Sequence, residues 1–121
     1  MSTPRNRAFG WLLLACLAAC SEAAPAQKAT ADGRRVYDAQ GCALCHGSDA
    51  AGTSLGPTLH GKASLWTREK IVEYLKAPIA YAEQDPRLRE QKKKYSLPMR
   101  AFDKVPEAEL AAVADFVLGL P

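Results

Sequence analysis

The pentapeptide Cys42-Ala43-Leu44-Cys45-His46 constrains this chain more than any other feature. On a short helical turn, residues at i, i+3 and i+4 share one face, so two thiols and an imidazole project together. A thioredoxin-type redox pair would want a βαβ context, and no alternating strand pattern is present. Half a zinc site would want a second pair of ligands. Beyond residue 20 the chain has no further cysteine and one further histidine, His60. The other two of the four cysteines, Cys16 and Cys20, fall in the first twenty residues, which argues against a disulfide framework.

The spacing fits covalent haem attachment. The thiols of Cys42 and Cys45 can each form a thioether with one of two vinyl groups on adjacent pyrroles, and His46 then faces the iron from the same side. A second axial ligand would come from Met99 or His60, or the sixth site would stay open. Once a leader is removed, Met99 is the only methionine, and Pro98 stiffens the chain before it.

The first residues carry an address. Arg5 and Arg7 precede an apolar run of 12 residues, 8–19. That is too short for a helix across a ~30 Å hydrocarbon core and reads as a signal peptide. The run ends in Leu17-Ala18-Ala19-Cys20, which resembles the lipobox of bacterial lipoproteins, with a shorter competitor at Leu13-Leu14-Ala15-Cys16. The resemblance implies a leader over 1–19 and lipidation at Cys20. Residues 20–30 then read as a flexible tether and 31–121 as the folded domain. Two or more acyl chains would anchor the protein stably. Ordinary secretion without an anchor is the alternative.

A domain of this size buries a marginal core by itself, and a large apolar cofactor would supply buried area. The formal charge of +3 falls to +1 without Arg5 and Arg7, and haem propionates would lower it further. Cations are not gathered on one element, which gives nucleic-acid binding little support. Helices are expected from Ala31 to about Ala43, from Thr67 as N-cap to about Lys76, and over Glu107–Leu118 between Pro106 and Gly119. Ile71, Tyr74 and Leu75 share one face of the second of these, and Leu110, Val113 and Val117 one face of the third. Glycines and Pro57 make 48–62 a loop. The fold class is all-α.

Four blocks then resemble class I cytochrome c: 33–37 leading into the pentapeptide, 56–61, 66–78 and 97–102. The resemblance implies three to five helices wrapped around one covalent haem c, with the first and last helices crossing at Gly33 against Tyr37, Val113 and Phe116. It assigns His46 and Met99 as iron ligands and the Pro57 carbonyl as acceptor for His46. Trp66 would lie near a propionate and the Tyr74 hydroxyl near the Met99 sulfur, while His60 would bond across neighbouring loops. The departure is residues 82–96, an apparent insertion of net charge +2 near Met99. It is either a solvated surface or a docking face for an acidic redox partner. The implied function is a monomeric one-electron carrier, not an enzyme, serving membrane complexes or periplasmic reductases from the periplasmic side of a bacterial membrane. A small haem enzyme or gas sensor with a displaceable sixth ligand, a subunit of a larger oxidoreductase, and a haem-free thiol–disulfide module are the competing readings.

Overall fold

The computed structural model describes residues 24–121. The leader over 1–19 and the candidate lipidation site Cys20 lie outside the described residues. The described elements are six α-helices and one 3₁₀ turn, with no strand among them. The helices are α1 (Pro25–Ala39), α2 (Ala43–His46), α3 (Arg68–Lys76), α4 (Pro78–Gln84), α5 (Pro86–Lys92) and α6 (Glu107–Leu118); the 3₁₀ turn is Lys62–Ser64. The all-α class holds.

Helix α1 starts six residues before the expected Ala31, inside the segment read as tether, and stops at Ala39 rather than Ala43. Pro25 suits the first helical position, where its missing N–H costs nothing. The Gln27 side chain accepts from the Ala24 N–H at 3.3 Å. At the other end the Gly41 N–H turns back to the Asp38 carbonyl and Cys42 N–H to that of Tyr37, so the pentapeptide begins a separate turn.

The core is the crossing of α1 and α6. Val36, Tyr37, Leu110 and Ala114 are almost fully buried there, and the Tyr37 and Phe116 rings lie 5.4 Å apart. Gly33 makes the approach possible. A Cβ added to it would stand 2.1 Å from the Ala112 carbonyl oxygen and 2.6 Å from Phe116 Cβ.

Helix α3 packs against α6 and is tied to it by a bidentate Arg68–Asp115 pair at 2.7 Å. Its buried face is Ile71, Val72 and Leu75. Thr67 caps it, accepting from the Lys70 N–H at 3.3 Å. We expect Thr67→Ala to cost about 1 kcal/mol, read as a lower urea midpoint at unchanged slope.

Residues 82–96 hold the end of α4 and all of α5, which brings the described helices to six against the three to five expected. Asp85 separates the two by capping α5, accepting from the Arg87 N–H at 2.9 Å, and Pro86 takes the first helical position. Leu88 on α5 is buried and lines the cleft described below, so this segment walls that cleft as well as presenting charge.

Candidate haem pocket

A cleft of about 570 Å³ opens between the pentapeptide, α3, α5 and the chain after α5. Cys42, Cys45 and His46 line it, as do Pro57, Trp66, Tyr74 and Met99. Seven residues named from sequence thus meet at one cavity, drawn from segments up to 57 positions apart. His60 does not line it. Its Nε2–H donates to the Asp49 carbonyl at 2.8 Å, bracing the loop between the pentapeptide and Pro57.

His46 is buried, and its Nδ1–H donates to the Pro57 carbonyl at 2.7 Å. That bond sets the tautomer and leaves a lone pair on Nε2. Burial pushes the imidazole pKa down, and the Pro57 bond only partly opposes this, so the ring is held neutral. No sealed side-chain nitrogen or oxygen among the described residues lacks a partner. His46 Nε2 makes no bond within the protein, so it opens onto the cleft.

The turn around the cysteines is braced from several directions. Thr53 Oγ1 donates to the Cys45 carbonyl at 2.6 Å, and Gly52 N–H to that of His46 at 2.8 Å. Gly56 rests against Cys45 so closely that a Cβ there would meet the Cys45 carbonyl oxygen at 2.9 Å. The Tyr37 hydroxyl donates to the Gly47 carbonyl at 2.6 Å, linking the α1–α6 core to the residue after His46. Burial pushes the Tyr37 pKa up to about 12. Its ordinary value is near 10, so the folded state holds this proton across a window in which the unfolded chain releases it. Stability should therefore fall as pH rises from about 10 towards 12. In Tyr37→Phe that part of the slope should vanish, seen by comparing urea midpoints at both ends of the window.

Trp66 and Tyr74 meet edge to face with ring centroids 5.6 Å apart. Tyr81 of α4 stacks on Trp66 at 5.8 Å, and the Arg87 guanidinium lies 5.7 Å from the Trp66 ring centroid. Tyr81 and Arg87 had no role assigned from sequence, because only the fold of α4 and α5 brings them to Trp66. Neither Trp66 Nε1 nor the Tyr74 hydroxyl makes a hydrogen bond within the protein, and the Tyr74 hydroxyl is not bonded to the Met99 sulfur. Both side chains face the cleft with free donors. Lys62, Lys92 and Arg100 also line it, and no carboxylate does.

These features fit a haem. The cleft has the size of a cofactor site, within ~300–1,000 Å³, and its walls are mostly apolar. Two thiols and an imidazole lone pair face it, with free donors and cations but no acid to repel propionates. An all-α shell around such a cleft defines a protein of the covalent-haem class. A family model described as Cytochrome c matches residues 30–121, and the chain belongs to that family. With membership comes one haem c, covalently held through Cys42 and Cys45.

Among curated proteins the chain is similar to cytochrome c 2.1 of Caenorhabditis elegans and cytochrome c type-1 of Ascaris suum. Identity to each is 35% over 69 residues, covering 40% of this chain and 61% of the relative. The chain thus spans about three-fifths of the length of the curated relatives it matches. No solved structure matches.

Proposed function

We propose that this protein is a one-electron carrier whose haem iron is held by His46 and Met99. The haem supplies Fe(III)/Fe(II) cycling, and the protein sets its potential through ligands, burial and orientation. The observation that carries this reading is the cleft that Met99 shares with the His46 imidazole, whose free Nε2 opens onto it. Pro57 fixes the tautomer and basicity of that imidazole. Trp66 and Tyr74 offer their free donors to the haem periphery and the Met99 side. With both axial positions filled, no site is left for substrate, which favours a carrier over a small haem enzyme or gas sensor. The thiol–disulfide reading is weakened by Cys42, whose thiol pKa is pushed up by burial despite Arg100. A redox motif would lower it.

The test is a redox titration of purified holoprotein followed optically. The expected result is one reversible one-electron wave, the weak long-wavelength ferric band of sulfur-ligated haem, and no ready binding of CO. Loss of that band with rapid CO binding would favour the enzyme or sensor.

Redox protein partners follow from this function. Within 82–96, Arg87 pairs with Asp85 and Lys93 with Glu90, while Arg89 donates to the Glu83 carbonyl. Lys92 and Lys94 are left without ion pairs and would steer an acidic partner. Residues 1–19 act as the leader and Cys20 as the lipidated residue that holds the monomeric domain on the periplasmic side of a bacterial membrane. The mass of the mature N-terminus, with or without diacylglyceryl, tests the anchor.

A further inference from the structure

We propose that Arg100 is a positioning residue that latches the Met99 segment against the turn entering the pentapeptide. The inference rests on Met99 being the sixth ligand, as proposed above. Between Lys94 and Phe102 the backbone makes no hydrogen bond among those described. Downstream, the segment is anchored where the Phe102 N–H donates to the Leu75 carbonyl at 2.8 Å. Among the described residues, the one hydrogen bond made over residues 95–101 is Arg100 Nη2 to the Gln40 carbonyl, at 2.7 Å. The remaining restraint is packing, and Met99 itself is only partly buried.

The two ends of that bond are well placed. Arg100 directly follows Met99, and its guanidinium lies 4.4 Å from the centroid of the buried Phe102 ring. A planar cation over an aromatic face is held in orientation. Gln40 is the C-cap of α1 and stands two residues before Cys42. The last turn of α1 has no basic residue of its own. Arg100 supplies from 60 residues away the cation that the carbonyl end of a helix favours. One side chain therefore joins the methionine segment to the segment bearing the thioether cysteines.

Without the latch, the Met99 segment should spend more time away from the cleft. A charge-assisted hydrogen bond at an exposed position corresponds to about a three- to ten-fold change in that open population. An added ligand binds only the open form, so its apparent affinity rises by the same factor. The experiment titrates imidazole into ferric holoprotein of wild type, Arg100→Ala, Arg100→Lys, Met99→Ala and the Arg100→Ala/Met99→Ala double variant. Arg100→Ala should bind imidazole about three- to ten-fold more tightly than wild type while keeping a weakened sulfur-ligand band. Arg100→Lys, which keeps the charge and a donor, should fall between the two. In the Met99→Ala background, Arg100→Ala should change nothing further.

If Met99→Ala tightens imidazole binding and Arg100→Ala matches wild type, Met99 is the ligand and the latch is refuted. If Arg100→Ala has the same effect with and without Met99, Arg100 governs access to the cleft and the latch is again refuted. If Met99→Ala alters neither the band nor the imidazole affinity, the ligation reading itself fails and the latch goes with it.

Discussion

Gly33→Ala should lower the stability of the protein and reduce the yield of haem-loaded chain. In a helix interior, glycine to alanine ordinarily gains up to about 1 kcal/mol. Here the sign reverses, because the new methyl would stand 2.1 Å from the Ala112 carbonyl oxygen and 2.6 Å from Phe116 Cβ. Neither neighbour is the loose end of a side chain. One is backbone of α6, and the other is the root of a ring packed on Tyr37. The helices must therefore separate, and overpacking of this kind costs about 1–3 kcal/mol, occasionally more. At ~4–8 °C per kcal/mol for a domain of this size, the melting temperature should drop by roughly 4–24 °C. Separation would also disturb the Tyr37 hydroxyl that braces Gly47 beside His46, so covalent haem yield should fall with it. Thermal unfolding and the pyridine haemochrome yield read both effects. An unchanged melting temperature would mean that α1 and α6 do not cross at Gly33.

Met99→His should lower the reduction potential by on the order of 0.2 V, a quarter of the ~0.8 V that axial ligands span. Thioether sulfur favours Fe(II), whereas a second imidazole favours Fe(III) by comparison. On the proposed ligation the substitution changes one ligand and leaves His46, its bond to Pro57 and the thioether cysteines in place. The iron should stay low-spin and lose the sulfur-ligand band. Met99→Ala, which opens the position, should instead make the ferrous protein bind CO. Potentiometry of wild type and both variants reads the effect. A potential unmoved by either substitution would remove Met99 from the iron.

The parts of the fold that could be read from sequence are those with local causes. Thr67 and Pro78 bound α3, and Pro106 and Gly119 bound α6, because caps act within one turn. The start of α1 was less legible. Pro25, Gln27, Lys28 and Thr30 are exposed, so a helix there buries little and leaves no periodic apolar signature. Within 82–96 a local signal was present but unread: Asp85-Pro86 pairs a good N-cap with a good first helical residue, which starts α5 apart from α4.

The sequence by itself determined the cofactor and its attachment, because C-x-x-C-H places two thiols and an imidazole on one short turn whatever surrounds it. It also pointed to Met99, the only methionine besides Met1 and set behind Pro98, as the proposed second ligand. Only the tertiary structure decided what tunes and holds the site. The Tyr37 bond to Gly47, Tyr81 and Arg87 on Trp66, and the Arg100 bond to Gln40 join residues between 10 and 60 positions apart. No spacing rule links such pairs, since their meeting depends on how the helices pack around the cleft rather than on the turn of any one helix.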